Sequence, residues 1–250
     1  MSTENIIAIV QARTGSTRLP GKVLKKILNK PMLLLMLERL SKSILINKIV
    51  VATTQKKEDD IIEDLVTSEG IDVFRGSEFD CLDRYYQTAK YYNGKIILKI
   101  TSDCPLIDPK LVDNVIQFFL DNEDLDYASN VRPPTFPDGL DVEIFTFDAL
   151  ENAWRNSKDP IDREHTTTFI HSQPEKFKIG NYFMPKNKNL FLSQRWTVDY
   201  PEDFEFVKTV FENLYFKKEV FLMDDILAFL KKYPDVWKIN SHLISKNAVH

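Results

Sequence analysis

The chain has 250 residues, 43% hydrophobic and 28% charged, a balance that excludes a disordered or membrane-spanning polypeptide and supplies one substantial core. Thirty-three Lys+Arg against thirty-seven Asp+Glu leave a net charge of −4, unlike the basic footprint of a general nucleic-acid binder. Two cysteines, Cys81 and Cys104, are too few for a disulfide scaffold and lack zinc spacing.

Met1 to Glu4 shows neither a basic nor an apolar signal region, so a cytoplasmic protein is expected. Ile6 to Val10 is a short β-branched run that reads as a fully buried strand. A polar loop follows, and Pro31 opens a leucine-rich helix to about Lys42. Ile49–Ala52 is a second buried strand. Glu58 to Glu69 is an amphipathic helix with an acidic start, closed by Gly70. Val73-Phe74 is a strand, Asp80 to Tyr92 a helix, Asn93-Gly94 a turn, Lys95 to Ile100 a strand and Pro109 to Leu120 a helix. This alternation predicts βαβ units, hence a mostly parallel sheet with helices on both faces.

Beyond Tyr127 the rhythm changes. Val131 to Pro137 is proline-rich and cannot be a central strand. Strands are expected at Asp141–Phe147 and Ile179–Met184, and helices at Asp148–Arg155, Pro201–Leu214 and Met223–Lys232. No repeat or long linker divides the chain. We expect one α/β domain over 1–250, with a nucleotide-binding half at 1–126 and an acceptor-binding and C-terminal half at 127–250.

Glycine is scarce, seven in 250 residues against a usual share of about 7%. Yet Gly15 and Gly21 fall in one stretch, Gln11-Ala12-Arg13-Thr14-Gly15-Ser16-Thr17-Arg18-Leu19-Pro20-Gly21-Lys22, directly after the first strand. Ligands in α/β sheets bind outside the carboxyl ends of strands. Arg13, Arg18 and Lys22, the hydroxyls of Ser16 and Thr17 and the glycines are what a polyphosphate needs. A P-loop is excluded by spacing: five residues separate Gly15 from Gly21, and Val23 stands where Ser or Thr would hold magnesium. The Rossmann glycine fingerprint is also absent. Asp103, just past the fourth strand, can project into the same cleft or simply cap a turn.

The loop from Ala12 to Lys22 resembles the signature of the cytidylyltransferase family that activates acidic sugars as CMP conjugates. With Gln11 before it, it is most similar to the branch containing the spore-coat polysaccharide biosynthesis protein SpsF. Further blocks match in order: FRGS at 74–77, DRYY at 83–86, TSDCPLID at 101–108, FPDGLDVE at 136–143, REH at 163–165 and TVDYPEDF at 197–204. The resemblance implies the nucleotide-diphospho-sugar-transferase fold, a Rossmann-like three-layer α/β sandwich with a mostly parallel, partly mixed sheet. It implies a Mg2+ ion held by Asp103 and Asp199, and attack of an acceptor oxygen on the α-phosphorus of CTP with loss of pyrophosphate. Arg13, Arg18, Lys22 and Asp103 would carry the catalysis. Gln11, Ala12, Gly15, Ser16, Thr17, Thr53, Arg75, Ser77 and Arg84 would complete the nucleotide site, with the base on a rim that includes Thr54.

The acceptor, an acidic or phosphorylated small molecule for surface-polysaccharide synthesis, would meet Asp138, Asp141, Glu143, Arg163, His165 and Arg195. An ordinary ion pair is an equal reading for Arg195, and packing is the reading for Trp154 and Trp196. Related synthetases are often homodimers, and the aromatic-rich second half could form an interface or fill the core. Two other functions remain open: a glycosyltransferase of the same fold, for which Asp124-Leu125-Asp126 offers the Asp-x-Asp string, and a non-catalytic nucleotide-binding protein. Asp124 reads as solvated because its string precedes a strand instead of ending one.

Overall fold

The structure, a computed structural model, describes residues 5–218 and 220–246. The opening Met1 to Glu4 therefore lies outside the described residues. In chain order the strands are β1 (Ile6–Gln11), β2 (Lys26–Ile27), β3 (Lys30–Pro31), β4 (Lys48–Thr54), β5 (Asp72–Gly76), β6 (Ile96–Thr101), β7 (Tyr127–Ser129), β8 (Glu143–Thr146) and β9 (Ile179–Asn181). The helices are α1 (Met32–Leu40), α2 (Asp60–Ser68), α3 (Cys81–Tyr91), α4 (Pro109–Asp121) and α5 (Phe147–Asn156). They continue with α6 (Pro160–Glu164), α7 (Thr168–His171), α8 (Pro201–Leu214), α9 (Met223–Lys232) and α10 (Pro234–Lys238).

β1 is apolar on both faces and lies inside a seven-stranded sheet ordered β5-β4-β1-β6-β8-β7-β9. β5, β4, β1 and β6 pair in parallel, β8 runs against both β6 and β7, and β9 is parallel to β7. Because side chains alternate along a strand, Ala8 and Val10 enter one core and Ile7 and Ile9 the other. The first core takes Leu33 and Leu37 of α1, Ile62 of α2, Val112 and Ile116 of α4, and residues of α8 and α9. The second takes Leu82 and Tyr85 of α3, Leu150 of α5 and Ile170 of α7. The molecule is thus the expected three-layer sandwich. Among the described residues no helix is long and apolar enough to cross a membrane.

Local chemistry sets the helix starts. Asp80 caps α3 by accepting from Asp83 N at 2.8 Å, and Asp108 caps α4 by accepting from Lys110 N and Leu111 N at 2.9 and 3.1 Å. Two expected strands are shorter than predicted. β8 begins at Glu143 because the Phe136–Val142 stretch turns through Gly139, at φ 105°. β9 stops at Asn181, whose side-chain oxygen accepts from Arg132 N at 2.9 Å. The short hairpin β2–β3 turns through Leu28 and Asn29, both at positive φ, without the Asn-Gly signal that usually marks such a turn.

Candidate active site

The carboxyl ends of β1, β4, β5 and β6 open on one side of the sheet, and β8, running the other way, brings its first residue, Glu143, level with Lys99 there. The loop after β1 is pinned by buried Asp59: one carboxylate oxygen accepts from Thr14 N and Thr14 Oγ1 at 2.8 and 2.7 Å, and the other accepts from Thr54 Oγ1. Gly21, at φ 64°, then turns the chain and sends Lys22 inward.

Lys22 Nζ lies 3.1 Å from Asp103 Oδ2 and 3.2 Å from Asp199 Oδ1, and donates to Val198 O at 2.7 Å. The segments carrying the two acids are tied together, since Asp103 O accepts from Val198 N at 2.8 Å and from Thr197 Oγ1 at 3.3 Å. Burial works against the Lys22 charge, but Asp103 and then Asp199 outweigh it and raise its pKa. Burial likewise opposes the Asp103 carboxylate; Lys22 and a hydrogen bond from Thr101 overcome it and hold its pKa below the usual value.

Arg18 Nη2 reaches Asp199 Oδ1 at 2.8 Å. Asp199 Oδ2 in turn faces Arg195 at 3.3 Å. Arg195 is buried, its Nε and Nη2 donating to the two oxygens of Asp203 at 3.0 Å each and its Nη1 to Asp138 at 3.1 Å. Glycine is required at 139 for this brace: a Cβ there would stand 2.4 Å from Thr197 N.

Two cavities meet at this cluster. The first, about 410 Å3, is lined by Gln11, Ala12, Arg13, Ser16, Thr17, Arg18 and Lys22 from the loop, with Glu78, Phe79, Cys81 and Arg84 at one side and Thr101, Ser102 and Asp103 beneath. The second, about 320 Å3, is lined by Lys99, Cys104, Asp138, Asp141, Glu143, Arg195 and Thr197. Arg18, Thr101, Asp103, His165 and Asp199 belong to both. Behind the second, the Glu143 carboxylate accepts from Lys99, Tyr127 and Thr167. Burial would raise its pKa, but the charges of Lys99 and Arg132 place it well below the carboxylate range.

Most expected residues are gathered here, and a few are not. Gly15 does not line either cavity, though its neighbours do. Thr53 is fully buried and lines neither cavity. Arg75 faces away: its guanidinium donates to Thr54 O, Lys56 O and Glu63 and pairs with Asp60, fastening β5 to α2. Ser77 lines only a shallow outer groove, where its hydroxyl accepts from Asp80 N at 3.1 Å. Arg163 likewise lines neither cavity, its guanidinium held by Asp80 and by Trp154 O. Arg195 lines the second cavity, but as the ion-paired brace just described. The sequence reading missed Asp59, Glu78, Phe79, Lys99 and Thr101. Lys99 and Thr101 alternate within an otherwise apolar strand, a signal of a polar face at its end; Asp59 and Phe79 carried none.

Asp103 and Asp199 offer hard oxygen donors of the kind magnesium takes in ones and twos together with phosphate oxygens. Among the described residues no group of three or more His, Cys, Asp or Glu side chains is arranged to hold a metal, and Asp103 and Asp199 face Lys22, with Arg18 and Arg195 also on Asp199.

An uncharacterized protein of Methanocaldococcus jannaschii is 42% identical over 246 residues, 97% of each chain. The spore coat polysaccharide biosynthesis protein SpsF of Bacillus subtilis is 31% identical over 242 residues, 92% of this chain and 96% of its own. The solved structure of a cytidylyltransferase from Leptospira borgpetersenii superposes with a TM-score of 0.86 at 37% identity, covering 93% of this chain and 96% of that one. Residues 7–246 match the cytidylyltransferase family itself, and a match that spans the loop, both aspartates and the braces behind them places this chain in the cytidylyltransferase family.

Proposed function

We propose that the protein transfers CMP from CTP to an oxygen of an acidic or phosphorylated small molecule, releasing pyrophosphate, as a step towards a surface polysaccharide. The observation that carries this reading is the junction of the two cavities at Asp103 and Asp199, with Lys22 Nζ within 3.2 Å of both acids. One cavity would hold the nucleotide and the other the acceptor, so that the reacting atoms meet at their shared wall. An acceptor oxygen bonds to the α-phosphorus while the bond to the bridging oxygen breaks, and its electron pair leaves with pyrophosphate.

Arg13, Arg18 and Lys22 line the first cavity and would oppose the charge that develops on the leaving group. Ser16 and Thr17 would supply hydroxyl donors to the phosphates. Asp103 and Asp199 would hold magnesium, which when bound supplies Lewis-acid polarisation of the α-phosphoryl group. The polysaccharide role draws on the relative named for spore-coat synthesis.

Glycosyl transfer receives no support from Asp124 and Asp126. They precede β7, at the amino ends of the strands and away from both cavities, where Asp124 pairs with Lys178 Nζ at 2.9 Å and Asp126 accepts from Lys178 N at 2.9 Å. The test is a thermal-shift panel of CTP, UTP, ATP and GTP with magnesium, followed by acceptors scored by pyrophosphate release. CTP at a hundred times its Kd should add about 2.7 kcal/mol of stability. Preference for another nucleotide would displace CTP, and consumption of a nucleotide sugar without pyrophosphate would favour glycosyl transfer.

A further inference from the structure

Phe79 stands in water. The residue is 85% exposed on the short segment between β5 and α3, and it lines both the first cavity and the shallow groove beside it. Of the large hydrophobic side chains that stand exposed among the described residues, Phe79 alone borders that cavity. The backbone under it is held firmly. Asp80 N donates to Ser77 Oγ at 3.1 Å, Asp80 caps α3, and Arg84 donates to Ser77 O. A Cβ at Gly76 would come within 2.9 Å of Arg84 Cγ, so the segment packs closely on α3. A fixed loop therefore presents an aromatic face at the cavity's edge.

Position decides what that face meets. Lys22, Arg18, Asp103 and Asp199 gather where the first cavity joins the second. Phe79, with Glu78, Cys81 and Arg84, lines the first cavity and not the second. A nucleotide whose phosphates lie against Lys22 and Arg18 has its sugar and base in the remainder of the first cavity, which Phe79 borders. Every nucleobase has a flat π-face, and stacking on an aromatic side chain is a strong, sequence-tolerant contact in water.

We infer that Phe79 is the base-stacking residue of the nucleotide site, covering the pyrimidine of the bound nucleoside triphosphate. The inference rests on the nucleotidyl-transfer reading, and its test separates the two. Binding of CTP and of inorganic tripolyphosphate, which lacks sugar and base, is measured by calorimetry with wild type, Phe79→Ala and Phe79→Trp, each at matched oligomeric state by gel filtration. Phe79→Ala should weaken CTP at least about fivefold and leave tripolyphosphate unchanged, and Phe79→Trp should restore CTP binding. The exposed position means that the unliganded melting temperatures of the three proteins should agree.

Equal CTP affinity in wild type and Phe79→Ala would overturn the stack while leaving the function standing. Parallel loss of CTP and tripolyphosphate, or a change of oligomeric state in Phe79→Ala, would also overturn it, by showing that the ring serves the loop or a protein contact. Wild type that binds tripolyphosphate but not CTP would sink both readings.

Discussion

At Lys22 burial and charge pull in opposite directions, and the outcome follows from having two carboxylates against one ammonium. Replacing Asp103 with Asn leaves Lys22 with Asp199 and with Val198 O, so the loss of stability should stay near about 1–2 kcal/mol while pyrophosphate release falls by about a hundredfold or more. Chemical denaturation and a turnover assay on one preparation check both halves. His171 has the opposite character. Burial and then the charge of Arg132 depress its pKa to about 4. A base depressed when folded binds its proton more readily when unfolded, so its contribution to stability is complete above about pH 6.5 and is lost as the pH falls towards 4. Urea midpoints should therefore fall over that range in wild type and fall less in His171→Asn; parallel slopes would remove His171 as the cause. The sequence reading reached the charged loop and both aspartates through residue type and motif. It gave no sign of the partners of Arg75 and Arg163, because an arginine beside a cleft does not announce which carboxylate it will face, and here these are Asp60, Glu63 and Asp80.

Elements with strong periodicity were the legible ones. α8 and α9 have the expected bounds, because proline and acidic residues mark their starts and apolar spacing runs through them. β1 and β4 stand out as β-branched runs because both of their faces are buried. β7, three residues long, has too few positions to show any period, and the ends of β8 and β9 are set by contacts that arise only after folding. The turn at Gly139 is one such contact. Substitution by Ala meets both a positive φ and the Thr197 backbone, so Gly139→Ala should lose at least about 2 kcal/mol of stability. Because Asp138 and Thr197 flank the brace around Arg195, activity at permissive temperature should fall as well. A melting curve indistinguishable from wild type would show that the loop can relax.

Across the whole molecule the site is assembled from widely separated parts of the chain. Its last described segment takes part: Asn240 Nδ2 donates to Arg195 O and to Asp203 Oδ1, each at 2.9 Å. All of these parts converge at the carboxyl ends of the parallel strands, the place that the α/β alternation designates before any residue role is known. What the alternation could not supply is which distant loops pair there, since the bonds to Asp103 O from Val198 N and Thr197 Oγ1 leave no pattern in the sequence.

The antiparallel course of β8 leaves the opposite rim, where α4 gives way to β7, with no share in either cavity. Asn122, Glu123 and Asp124 on that rim are exposed. It is the natural point of attachment for a purification handle, a fluorophore or a tether to a solid support. A Gly/Ser hexapeptide spliced in after Glu123 should leave turnover at the level of the parent protein, and an immobilised catalyst built through that rim would face its substrates unobstructed.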